Sequence, residues 1–222
     1  MKYLANELSQ KENYKFLSGA IIPRPIAFVT TVSEEGVVNA APFSFFNIVS
    51  SDPPVVSISV QRQNGEMKDT ARNALANGEL VIHIVSEDMT RDVNETAASL
   101  PKNESELTKT DFHLLEEENF TVPRIAEAKL KLAATVFNTL PIQNDAGKTT
   151  ADLILARIVQ YDFDDAIVDQ EKGYLLAEEI HPVSRLAGND YAKLGETFVV
   201  KRPLKFKSTH VMMALSKRLG GL

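Results

Sequence analysis

The sequence predicts a mainly β protein, a closed or split antiparallel barrel with helical additions, and three observations point there. Several segments are rich in β-branched and aromatic residues, most links between them are short, and helical patterns do not alternate regularly with strands. That last point disfavours a doubly wound parallel sheet. No internal repeat is present, and the 222 residues are read as a single domain, 1–222, with a basic extension from about residue 201.

The first two strands are "PIAFVTTV" (Pro25 to Val32) and "VVNAAPF" (Val37 to Phe43), separated by "SEEG". Gly36 can take the positive φ that a tight hairpin needs. Pro42 has no N–H to give a ladder, so the chain is expected to leave the sheet there as an irregular turn. "PVVSISV" (Pro54 to Val60) and "ELVIHIV" (Glu79 to Val85) read as two further strands. Between them "GEMKDTARNALANG" has helical spacing, with Met67, Ala71, Ala74 and Leu75 on one face and Gly78 suited to the left-handed stop.

A second helix is expected from near Ser86, capped by that residue, to about Ser99. Residues 100–122 read as loops and short helical turns. From Ala128 to Leu140 and from Thr150 to Phe163 the apolar residues alternate, and "NDAG" turns the chain between them, which predicts a long antiparallel pair. "TFVVKRP" (Thr197 to Pro203) reads as a last strand.

Composition narrows function. The chain is 44% hydrophobic and 24% charged, as ordinary globular proteins are, and no run is long enough for a membrane helix. The charged N-terminus does not resemble a signal peptide, so the cytoplasm is the expected location. With no cysteine, thiolate nucleophiles, iron–sulfur clusters and thiol relays are excluded, and any redox chemistry must be borrowed from a cofactor. A net charge of -6 argues against nucleic acid as a partner. The segment from Lys201 runs the other way: Lys201, Arg202, Lys205, Lys207, Lys217 and Arg218 face no acidic residue in sequence, which suits either a solvated tail or attraction of an anion.

The glycines form neither G-x-G-x-x-G nor a Walker loop, and no G-x-S-x-G elbow is present. The four histidines lack metal-ligand spacing, and His83 reads as a core residue. Three stretches carry candidate chemistry. "NAAPFSFFN" (Asn39 to Asn47) interleaves hydroxyls and amides with aromatic faces, suited to a flat heteroaromatic ring with polar edges; Phe43, Phe45 and Phe46 as a barrel plug fit the same residues. "KDT" opens a helix, and Lys68 and Thr70 beside its N–H groups suit a terminal phosphate, while Asp69 as a cap serves the helix equally. In "HPVSRLAGNDY", Arg185 and Tyr191 could clamp an anionic or aromatic group, or belong to an ordinary surface loop.

These blocks, "PRPIAFVTTVSEEGVVNAAPFSFFNIVSSDPPVV", "KDTARNALANGELVIHIV" and "HPVSRLAGNDY", in this order resemble the flavoredoxin-like members of the flavin reductase-like family, and the similarity runs from about Tyr14 to Pro203. The resemblance implies a split antiparallel β-barrel of Greek-key type that binds FMN, as a homodimer with small-molecule electron donor and acceptor and NAD(P)H as co-substrate. It assigns Thr30, Thr31, Asn39, Ala41, Ser44, Phe45, Phe46 and Asn47 to the flavin ring and ribityl chain. Lys68 and Thr70 are assigned to its phosphate, and Arg185 and Tyr191 to a position near the flavin or the partner subunit. No side-chain acid or base is required, because the cofactor carries the redox step.

Overall fold

The computed structural model describes residues 1–98, 100–101 and 104–203. The lysines and arginines of the basic extension beyond Pro203 lie outside the described residues. Strand dominates. In chain order the elements are α1 (Gln10–Ala20), β1 (Arg24–Pro25), β2 (Ala27–Val32), β3 (Val38–Phe43), β4 (Phe46–Ser51), β5 (Pro54–Gln61), α2 (Asp69–Asn77), β6 (Glu79–Ile84) and α3 (Thr90–Glu95). There follow a 3-10 turn (Glu106–Lys109), β7 (Leu114–Glu117), β8 (Phe120–Ile125), β9 (Leu130–Gln143), β10 (Thr149–Phe163), β11 (Val168–Asp169), β12 (Tyr174–Leu175), α4 (Ala177–Ile180), β13 (Val183–Arg185) and β14 (Tyr191–Lys193).

Seven strands form one antiparallel sheet in the order β3-β2-β6-β9-β10-β5-β4. β3 and β4 stand at opposite edges, yet Ser44 and Phe45 alone connect them in sequence. Three residue steps reach about 11 Å at most, so the sheet must roll until its edges nearly meet. The ladders do not close, since β3 pairs with β2 and β4 with β5. The result is a barrel split between its first and last strands. The Phe45 carbonyl, accepting from Ser59 N–H at 2.9 Å, holds the crossing segment down on β5.

Inside the roll, Val29, Val56, Ile58, Ile82, Leu132 and Ile154 pack with Ala71 and Ala74 of α2. The opposite face of β2 and β6 is also covered, by Met89, Val93 and Val183 over Phe28 and Val85. A strand buried on both faces loses its polar alternation, which fits the apolar stretch 27–29 of β2 and the burial of Thr30 and Thr31 that follow it.

Several expectations change. Pro42 stays within β3, opposite Phe28, because an edge strand has N–H groups that no ladder needs; the chain leaves the sheet two residues later. The helix expected from Ser86 to Ser99 shrinks to α3, since the Ser86 hydroxyl binds the Asp88 carboxylate and its carbonyl accepts from Thr90 Oγ1 at 2.9 Å. Residues 100–122 contribute a strand and most of a hairpin, β7–β8, rather than loops alone. "TFVVKRP" forms no strand: Phe198, Val199 and Val200 are exposed, and β propensity without a ladder partner leaves a chain irregular. Among the described residues the last strand is β14, which pairs with β13 and through it with β1. Leu75 is exposed rather than on the packed face of α2.

The hairpin between β2 and β3 turns at Gly36 with φ +82°, and α2 ends at Gly78 in the left-handed region, φ +76°, as the sequence predicts. α1, not anticipated, begins with a capping box in which Ser9 and Glu12 satisfy each other's backbone N–H.

Candidate functional site

A cleft of about 430 Å³ lies between the open edge of β3, the 63–68 turn, the first turn of α2 and the residues Thr96, Ala97, Ala98, Leu100 and Glu106. Its volume falls in the roughly 300–1,000 Å³ range usual for small-molecule sites. Four sequence-assigned residues line it: Asn39, Ala41, Lys68 and Thr70. Lys68 is the N-cap residue of α2 and is exposed, and among the described residues no side chain caps the first turn. Open N–H groups and the positive end of the dipole therefore face the cleft beside an ammonium. Asp69 does not cap; it pairs with Arg72 one turn on.

The cleft floor is a polar network. Thr70 Oγ1 donates to Asn39 Oδ1 at 2.7 Å, and Asn39 Nδ2 donates to Glu106 Oε1 at 2.8 Å. Glu106 Oε2 accepts the Ala40 N–H at 3.1 Å. Thr31 Oγ1 reaches Asn39 Oδ1 at 3.4 Å and accepts from Asn73 Nδ2 at 3.3 Å. Burial pushes the Glu106 carboxyl above its ordinary range, and the donors on Ala40 and Asn39 pull it partly back.

The other assigned residues sit elsewhere. Thr30 and Thr31 are neighbours on β2 and point to opposite faces; Thr30 Oγ1 donates to the Pro123 carbonyl at 2.8 Å, beneath β8. Both threonines are fully buried, so Thr31 supports the cleft floor from below and Thr30 is turned away from it. Ser44 Oγ takes a long contact, 3.5 Å, from Arg24 Nε, while that guanidinium donates to the carbonyls of Ser18, Ile21 and Leu186. Phe45 is half-buried with its ring 6.5 Å from that of Tyr14, and Phe46 packs on the barrel core opposite Ile58. Asn47 is exposed on β4, its Oδ1 accepting from Ile48 N–H. This bend is adjacent in chain to Pro42 and Phe43, which line the cleft, but its own side chains do not.

Arg185 and Tyr191 face each other across the β13–β14 hairpin. The guanidinium lies 4.5 Å from the ring centroid, Arg185 Nη2 donates to the Gly188 carbonyl, and the Tyr191 hydroxyl donates to Asn94 Oδ1. They clamp one another. Among the cleft residues that no sequence motif marks are Glu106, which meets Asn39 across 67 positions, and Arg72. Ser105, whose hydroxyl accepts from Leu107 N–H, marks the turn that carries Glu106, but nothing local points from it to β3.

Residues 18–179 match the family model described as flavin reductase like domain. The chain is 55% identical over 201 residues to YwrF of Bacillus subtilis (strain 168), covering 90% of this chain and 98% of that one. Among solved structures, nitrilotriacetate monooxygenase component B from Bacillus cereus superposes with a TM-score of 0.87 at 44% identity, covering 90% of this chain and 98% of that one. A flavin reductase-type protein with a split barrel domain from Shewanella frigidimarina NCIMB 400 shares the fold, with a TM-score of 0.77 at 18% identity over 91% of this chain and 100% of that one. The chain therefore belongs to the flavin reductase-like family, with the split-barrel fold and a flavin-related oxidoreductase function.

Proposed function

We propose that the cleft holds the phosphate end of FMN and that the protein is an NAD(P)H-dependent flavin reductase or a flavoredoxin-like electron-transfer protein. One observation carries this reading. The uncapped first turn of α2, with Lys68 at its tip, opens into a polar cleft of suitable size beside the edge strand of the barrel. The residues fit a phosphate monoester: Lys68 supplies charge, and backbone N–H groups supply direction. Glu66, Asp69 and Glu106 also border the cleft, but Asp69 is tied to Arg72 and Glu106 to β3, so neither is turned freely on a ligand. Bound there, FMN supplies hydride and electron transfer, with NAD(P)H as donor and a further small molecule as acceptor.

The chain's own task is to bind, orient and shield. Pro42 and Phe43 give the cleft an apolar wall, and Ser44 and Phe45 carry the chain on from the end of β3 to the Tyr14 ring. A homodimer accords with apolar surface this chain leaves uncovered: Ile48 and Val49 on β4 and Phe137, Leu140, Val159 and Tyr161 on the β9–β10 arm are all exposed.

Fluorescence titration of FMN tests the cleft. Lys68→Glu replaces attraction by repulsion, and the Kd for FMN is expected to rise about a hundredfold while that for riboflavin, which lacks the phosphate, stays near wild type. Unchanged FMN affinity would refute the phosphate assignment. Anaerobic mixing of the FMN-loaded protein with NADH or NADPH tests turnover: bleaching of the flavin band supports a reductase, and its absence supports an FMN-binding module reduced by a separate partner.

A further inference from the structure

The hydrogen bonds beneath the cleft have a direction, and one residue sets it. Glu106 is 7% exposed, with its two carboxylate oxygens committed to Asn39 Nδ2 and Ala40 N–H. A carboxylate can accept but not donate, so the Asn39 amide nitrogen must face it and the amide oxygen must face away. That oxygen can only accept, and it meets Thr70 Oγ1 at 2.7 Å. Thr70 has a single O–H, and this bond consumes it. Thr70 lines the cleft with only 2% of its surface exposed, and what its hydroxyl can present there is a lone pair.

We propose that Glu106 is a positioning residue that acts through Asn39 to hold the Thr70 oxygen as a fixed acceptor, so that this part of the cleft selects a ligand hydroxyl rather than a phosphate oxygen. The inference rests on the reading of the cleft as an FMN site and divides that ligand in two. Lys68 and the open N–H groups of α2 take the phosphate; Thr70 takes a hydroxyl of the polyol chain. A Thr70 oxygen locked as an acceptor would repel a phosphate dianion, so this proposal departs from the phosphate role that the resemblance assigns to Thr70. Thr31 strengthens the lock, because Asn73 Nδ2 already donates to it and its own O–H is directed at the same Asn39 oxygen.

The experiment compares FMN, riboflavin and inorganic phosphate on full-length protein. Glu106→Gln brings an amide donor to Asn39, lets that side chain reverse, and frees the Thr70 proton. FMN and riboflavin are each expected to bind about tenfold more weakly, with inorganic phosphate unchanged. Thr70→Val should match that loss, Thr70→Ser should restore it, and Glu106→Gln combined with Thr70→Val should be no worse than either alone, because both break one chain. The Asn39 side-chain amide resonances should move in Glu106→Gln whether or not ligand is present. Additive losses in the double variant, a loss shared by inorganic phosphate, or unmoved Asn39 resonances would each overturn the inference. If Glu106→Gln does not fold, the Val and Ser variants at Thr70 carry the same test, and equal flavin affinity in those two overturns it. Wild-type protein that binds FMN and riboflavin, with Glu106→Gln binding both as well, sinks the inference alone; wild-type protein that binds neither sinks the functional reading, and the inference with it.

Discussion

Glu106 and His83 are both sealed titratable side chains, and burial drives each toward its neutral form, but they occupy opposite kinds of site. His83 is fully buried in β6, where Nδ1 bonds the Phe28 carbonyl at 2.9 Å and Nε2 accepts from Ile125 N–H at 3.0 Å. That pairing requires the neutral ring with its proton on Nδ1. Glu106 binds β3 with both oxygens and borders a cleft. The contrast teaches that burial alone does not mark a functional residue. His83 is satisfied on both nitrogens by backbone, so protonating it affects folding; Glu106 ends a chain that reaches the cleft, so changing it is expected to affect ligand binding as well.

The largest effect expected from this contrast is on acid stability. Burial holds the His83 pKa down to about 4 from 6.5, so between those values the unfolded chain binds the extra proton. Stability present above pH 6.5 should be lost as pH falls toward 4, by about 3 kcal/mol, and this part of the slope should be missing in His83→Gln. Urea unfolding at a series of pH values reads it directly. A His83→Gln profile parallel to that of the wild type would show that the ring is not held neutral.

Glu106 should contribute with the opposite sign. Its folded pKa lies above the ordinary value of 4.5, so its contribution to stability is full below 4.5 and declines as pH rises through the folded pKa. Subtracting the Glu106→Gln profile from that of the wild type isolates this smaller slope, and a slope of the same sign as that of His83 would break the comparison.

The smallest effect separates neighbouring threonines. Thr30→Val removes the bond to the Pro123 carbonyl and should cost about 1 kcal/mol of stability while leaving FMN affinity within about twofold of wild type. Thr31→Val, one residue along and on the cleft side, should weaken FMN as well as the fold. Equal FMN affinity in the two variants would show that the floor network does not reach the ligand.

Elements with a strong periodic pattern were legible at once. α2 shows helical spacing and a glycine that must stop it, and β9 and β10 alternate along their length, so each was placed within a few residues. The β7–β8 hairpin was not, because Leu114 and Leu115 are exposed and the acidic run that follows them disguises a strand as a loop. Lys68 was legible from its place before a helix. The spacing of Arg185 and Tyr191 suits ligand residues and equally two partners across a hairpin, and the structure stacks them on each other.

From the residues alone came the barrel class, the helix whose tip faces the cleft, the need to borrow redox chemistry, and the burial of His83. These rest on local spacing and on side-chain chemistry, which are written along the chain. Only the tertiary structure decided that Pro42 could remain in a strand, that Thr30 and Thr31 have separate tasks, and that Glu106 orders the cleft floor. Those outcomes depend on which strand is an edge and on where a rolled sheet brings residues 67 positions apart, and a hydrogen bond acquires its direction only when both ends are in place.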